Sequence, residues 1–284
     1  YQTYSKLYNS MVAPIMDYGS EIWGFSTPNA ANKVHLMAQR YFMGVHRFAP
    51  VAAVAGDMGW LSVKDRWALN MTRFYNRLIN TNPDRLLAKV FMFNKLHTEN
   101  NNWCKNMCNI LNVLDMDHLY ENNTILNIQE VKNKLMENNQ NDWVNMVDAK
   151  PKLRTYKLIK KDYKPEQYLM SNLYKYERSL LAQLRIGILP LHIETGRYVN
   201  LRPEERLCKI CNNQEIEDEV HFLFHCETYT NERASLFDNI NQKSRDFSEM
   251  NDICKLDYLM KFHVYAFGHY VKDIYTKRRK ILYN

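Results

Sequence analysis

The sequence predicts an all-α, or nearly all-α, fold, and two observations carry that expectation. Apolar residues recur at helical spacing along most of the chain, and no run shows the alternation of a half-buried strand. The composition agrees: 46% of the 284 residues are apolar, enough to fill a core, and 8 glycines and 8 prolines exclude a low-complexity or collagenous chain.

Taken in order, residues 5–23 place Leu7, Met11, Val12, Ile15, Met16 and Ile22 on one helical face. Pro14 should kink that helix, because it has no amide hydrogen to donate. Ser26, Thr27 and Pro28 form a loop. A second helix is expected over 30–46, with Val34, Met37, Tyr41, Phe42 and Val45 inward, and small residues over 49–59 lead to a third. Ser62, with Asp65 three residues on, caps that third helix ahead of the stripe Trp67, Met71, Phe74 and Leu78. Residues 80–83 stop it, and another helix follows over 84–96. Asparagine runs at 100–102, 122–123 and 138–141 punctuate short helices at 103–111 and 128–146, so 98–150 reads as the least regular stretch. A basic segment over 150–161, a helix at 172–184, a break at 187–190 and two closing helices complete the chain. Three regions result: helices over 1–60, a connector over 61–200, and a cysteine-bearing module over 201–284.

The net charge of +7 suits a polyanionic partner without requiring one. No apolar run reaches 18 residues and no signal peptide opens the chain, so membrane partners are not expected and an intracellular site, nucleus or cytoplasm, is. The chain opens at Tyr1 rather than Met, which suggests that upstream residues are missing. Six cysteines are too few for a disulfide scaffold and point to a reducing compartment.

Four of the potential ligands have metal spacing: Cys208-x2-Cys211-x9-His221-x4-Cys226. Two thiols separated by two residues fit a knuckle turn, where Asn212 and Asn213 tolerate a left-handed backbone. The second pair is expected at the end of a short helix over 217–225. Zinc accepts such a tetrahedral set, and four protein ligands leave no position for a catalytic water, so one structural zinc is expected. His225, four residues after His221, is the alternative to Cys226. The acidic group Glu215, Glu217, Asp218 and Glu219 suits the start of that helix. Cys104 and Cys108, beside Trp103 and Met107, read as core thiols, and Cys254 likewise.

This segment does not stand alone. Gly196-Arg-Tyr, Arg202-Pro-Glu-Glu-Arg-Leu-Cys208-Lys-Ile-Cys211 and Glu217-Asp-Glu-Val-His221-Phe-Leu-Phe-His-Cys226 resemble the C-terminal region of non-LTR (LINE-type) retrotransposon reverse transcriptases. Tyr8-Asn-Ser-Met-Val-Ala-Pro14-Ile-Met-Asp-Tyr18-Gly-Ser-Glu21-Ile-Trp23-Gly looks like the start of the thumb that follows the polymerase palm. Gln39-Arg-Tyr-Phe-Met-Gly-Val-His46 and Gly56-Asp-Met-Gly59 match the helices after it. The resemblance runs in order along most of the chain, and is thinnest in the Asn-rich middle and after residue 240.

It implies a nucleic-acid-binding thumb and zinc region whose partners are RNA or DNA and the upstream polymerase domain or a larger assembly. The implied phosphate contacts are Lys150, Lys152, Arg154, Lys157, Lys160, Lys161, Lys277, Arg278, Arg279 and Lys280, with Tyr156 for base stacking. The polymerase's own Asp-Asp pair occurs nowhere in this sequence, so no catalysis is expected of these residues. Two rivals remain: a host protein built from such a fragment, serving as a structural or interaction subunit, and a zinc-dependent nuclease, which a closed ligand set disfavours.

Overall fold

The structure, a computed structural model, describes residues 1–97, 102–242 and 244–283. Helices dominate them and no strand occurs among them, only one isolated antiparallel bridge between Leu207 and Ile216. No helix among the described residues is long and apolar enough to cross a membrane. The chain forms two compact units. The first contains residue 1, 39–59 and 145–284; the second contains 2–38 and 60–144. This differs from the division at 60 and 200 drawn from sequence. Two boundaries, 38/39 and 144/145, fall inside helices Asn29–Met43 and Ile128–Asp148, where no breaker residue marks them.

In the second unit the N-terminal helix absorbs Pro14 instead of kinking there. A wider π-helical turn, Tyr8–Val12, closes with the Ala13 amide on the Tyr8 carbonyl, and Pro14 then starts the helix Ala13–Asp17, where no donor is needed. The break comes at Gly19, which takes a left-handed backbone. The expected aliphatic face is overturned: Leu7, Met11, Ile15 and Ile22 are exposed. Tyr8 is buried instead, stacked on Trp60 at 4.4 Å, with its hydroxyl 2.6 Å from His35 Nδ1. Helix Asn29–Met43 likewise exposes Val34, Met37 and Tyr41 and buries His35, Gln39, Phe42 and Met43. Polar groups that find partners and bring aromatic area can displace an aliphatic stripe from the interior.

Helix Val63–Ile79 behaves as its sequence predicts. The Ser62 side chain accepts from the Asp65 amide at 3.1 Å, and Trp67, Met71 and Leu78 are buried. Around it, Tyr75, Phe91, Cys104, Met107, Leu111 and Val131 form one apolar core, with Cys108 packed against it. The Asn-rich stretch is more regular than its sequence suggests. A 21-residue helix, Ile128–Asp148, runs straight through residues 138–141. Asparagine costs a helix only tenths of a kcal/mol. Here Asn139 donates to Asp65 at 2.6 Å and Asn138 to the Val113 carbonyl at 3.1 Å. Asn100 and Asn101 lie outside the described residues.

The first unit packs helix Lys175–Arg185 against Val264–Tyr283. Gly187 is required at the break between 185 and 190: its φ is +67°, and a Cβ there would meet the Lys152 carbonyl oxygen at 2.5 Å. Three helices close the chain rather than two: Thr230–Asn241, Asp252–Phe262 and Val264–Tyr283. The last two part at His263 without a glycine or proline to announce it. Cys254 is exposed, which corrects its reading as a core thiol.

Candidate metal centre

The knuckle is built by a short hairpin. The Cys208 amide donates to the Glu215 carbonyl at 2.8 Å and the Glu217 amide to the Arg206 carbonyl at 3.0 Å, on either side of the Leu207–Ile216 bridge. The left-handed residue of the turn is Gln214, with φ +54°, not Asn212 or Asn213. The second pair comes from a π-helical turn, His221–His225, anchored by buried Phe222, Leu223 and Phe224. The Cys226 amide closes that turn on the His221 carbonyl at 2.8 Å.

The π winding explains the four-residue gap between the ligands. In an α-helix, residues five apart lie about 140° apart around the axis. More residues per turn reduce that angle and bring Cys226 round toward His221. His225 stands outside the group: its Nε2 lies 2.8 Å from Asp252 Oδ2. Of the two residues the sequence offered, Cys226 is the one whose donor atom lies with those of Cys208, Cys211 and His221.

One sulfur or nitrogen from each of Cys208, Cys211, His221 and Cys226 lies within 4.8 Å of the others, a group that can hold a metal ion. Around a tetrahedral ion with metal–sulfur bonds of about 2.3 Å, sulfurs sit about 3.8 Å apart, so these donors need only a small contraction. Cys226 and His221 are buried; Cys208 and Cys211 are partly so. Glu215, which spacing alone did not single out as a partner, orients the ring. Its Oε2 lies 2.7 Å from His221 Nδ1, which leaves Nε2, 3.4 Å from Cys211 Sγ, turned to the sulfurs. The hint was a carboxylate six residues before the histidine. Asp218 accepts from the His221 amide at 2.8 Å.

Protons occupy this cluster when no ion does. The hydrogen bond with Cys226, together with burial, pushes the Cys208 thiol up to about 11, while the same bond holds Cys226 below its ordinary value. Burial alone would lower His221, but its hydrogen bonds with Cys208 and Glu215 raise it to about 9. A metal must displace these protons to bind.

The acidic group does more than complement a helix end. Glu217 is buried, takes a two-pronged ion pair from Arg278 at 2.7 and 2.8 Å, and accepts the His192 amide at 2.6 Å. Glu219, also buried, takes Arg154 at 2.6 Å and the Thr155 hydroxyl at 3.0 Å.

Those pairs revise the basic residues expected at a nucleic-acid surface. Arg278 is buried against Glu217 and cannot meet phosphate. Lys160 is buried with its ammonium on Glu166 at 2.5 Å. Tyr156 is fully buried, its hydroxyl on the Ala53 carbonyl at 3.2 Å, so it offers no face to a base. Lys152 is engaged by Glu194 and Lys277 by Glu232, both partly exposed. Lys150, Lys157, Lys161, Arg279 and Lys280 are exposed.

No family model matches the chain, and no curated protein or solved structure matches it.

Proposed function

We propose that the chain is a nucleic-acid-binding helical region stabilised by one structural zinc, of the kind that follows the palm in non-LTR retrotransposon reverse transcriptases, and that it carries no polymerase active site. The observation that carries this reading is the convergence of Cys208, Cys211, His221 and Cys226. Three thiolates and one imidazole are a soft, tetrahedral donor set that favours zinc over magnesium or calcium. Four protein donors close the coordination sphere, so the ion holds the fold and activates no water, which argues against a nuclease.

The acids around the cluster support a non-catalytic role. Nucleotide addition needs carboxylates that hold two ions about 3.5–4 Å apart. Here Glu215 serves His221, Glu217 serves Arg278 and Glu219 serves Arg154. The chain extends no primer on an RNA template with magnesium or manganese, and extension above background ends this part of the reading. Phosphate contacts fall to Lys150, Lys157, Lys161, Arg279 and Lys280. Replacing Lys157 and Lys161 together lowers the salt slope of duplex DNA binding by about two units; an unchanged slope removes that run from the interface.

A second reading, an interaction subunit derived from such a fragment, is favoured by the exposed Leu7, Met11, Ile15 and Tyr18 on the N-terminal helix. A chain that binds no nucleic acid at low salt, yet loses a protein partner on Leu7→Ser and Met11→Ser, decides for it. Either role fits the nucleus or cytoplasm.

A further inference from the structure

A cleft of about 1060 Å³ opens within the first unit, and six cations line it: Arg40, Lys150, Lys152, Arg154, Arg197 and Arg206. One carboxylate lines it, Glu194, and it is taken by Lys152 at 2.5 Å and Arg197 at 3.1 Å. Arg154 is neutralised by Glu219. Arg40 and Arg206 are different. Arg40 Nη2 donates to the Ala49 carbonyl at 2.8 Å, and Arg206 donates to the carbonyls of Ile193, at 2.8 Å, and Leu201. Main-chain carbonyls fix the direction of a guanidinium without cancelling its charge. The cleft is therefore lined, at Arg40 and Arg206, by fixed positive charge that no carboxylate among the described residues cancels, which is the preparation an anion site needs. The neighbouring His46 feels it: burial first, then Lys152 and Arg40, hold its pKa below the ordinary value.

The walls say which anion. Phe48, Val51 and Met146 line the same cleft and are exposed, Phe48 at 73%. Arg47 lies over the Phe48 ring at 4.7 Å and the His46 ring lies tilted 6.2 Å from it, yet the Phe48 side chain remains mostly exposed. A small inorganic anion would use the cations and leave these apolar faces wet. A duplex keeps its bases stacked inside and offers the walls only phosphate and sugar. An unstacked strand uses both, placing phosphates on the cations and bases on the ring.

We propose that this cleft binds single-stranded nucleic acid, with phosphates held by Arg40, Lys150 and Arg206 and a base stacked on Phe48. The proposal rests on the reading above and adds to it the state of the strand and the place where it lies. Of these residues only Lys150 was apparent from sequence.

The test is fluorescence anisotropy on the full, zinc-loaded chain, with labelled 12-nucleotide single-stranded RNA, single-stranded DNA and a 12-base-pair DNA duplex. Single strands are expected to bind more tightly than the duplex, the RNA and DNA arms telling which sugar the cleft prefers. Phe48→Ala weakens single-strand binding about 10-fold without changing its salt slope, and Phe48→Tyr retains it. Lys150→Gln, a surface change that spares the fold, lowers the slope by about 0.7. Binding that is indifferent to both Phe48→Ala and Lys150→Gln overturns the cleft while the nucleic-acid reading stands. Preference for the duplex, or equal competition by polyglutamate, also overturns it. Failure of the unmodified chain to bind any of the three probes overturns the reading and the cleft together.

Discussion

In the second unit Cys104 is almost wholly buried among Phe91, Met107 and Leu111, and its thiol serves as a piece of apolar core. In the first unit Cys208, Cys211 and Cys226 converge on a histidine. The charged residues divide in the same way. The first unit buries Asp57 with Arg185 at 3.1 Å, Lys160 with Glu166, and Glu217 with Arg278. The second unit's core is aliphatic and aromatic. An apolar core can relax when a side chain shrinks, whereas a buried charge left without its partner keeps its full desolvation cost. The two units should therefore fail differently when single residues are changed.

The largest expected effect is loss of the metal. Structural zinc in small modules contributes on the order of 10 kcal/mol. Metal analysis should find one zinc per chain. Cys208→Ser or Cys226→Ser should open residues 203–229 to hydrogen exchange while helix Trp103–Val113 stays protected. Because a metal must displace protons from thiol and imidazole ligands to bind, its affinity should fall as pH falls. A competition titration with a chelator at pH 8 and pH 6 measures that slope.

Next in size is the buried pair. Arg278→Met strands Glu217 and should cost about 3–5 kcal/mol by urea denaturation. Combining it with Glu217→Gln, which keeps an acceptor for the His192 amide, should recover a large share. A double variant no better than the single one would mean that packing of the Arg278 stem, rather than charge, dominates the site.

The second unit buries polar groups of its own, Asp65 and His35 among them. His35 is buried, and burial, then Arg66, lowers its pKa from 6.5 to about 4. The unfolded chain binds this proton more readily, so stability is lost as pH falls from about 6.5 toward 4, by about 3 kcal/mol. Hydrogen exchange within helix Val63–Ile79 reads this without interference from metal loss in the first unit, and His35→Gln should flatten the dependence.

The smallest effects separate the remaining cysteines. Cys104→Ser should cost about 1–2 kcal/mol by burying a hydroxyl, and Cys254→Ser less than about 0.5, with zinc content unchanged in both. Zinc lost on Cys104→Ser would break the contrast between the two units.

The sequence pointed to the group that converges in the fold because knuckle spacing is a local property: thiols two residues apart can face one ion whatever surrounds them. Donor chemistry favoured Cys226 over His225, but the partner that engages His225 was not legible, since Asp252 lies 27 residues away. Half of the basic candidates carry ion pairs that a similar reason kept from view. Their carboxylate partners lie 42 residues away for Lys152, 65 for Arg154 and 61 for Arg278. A run of lysines and arginines looks the same in one dimension whether its charges meet solvent or a buried acid.

What the sequence determined by itself was decided within one or two turns of chain: the helical class, the Ser62 cap, the break at Gly187 and the spacing of the four Cys and His residues that could hold a metal. Tertiary structure decided which faces were buried, putting Tyr8 and His35 inside and Leu7 and Met11 outside, and which cations kept their charge free for a partner. Hydrogen-bonding and helical preferences act between near neighbours, but desolvation is settled by whichever distant residues arrive to share the interior.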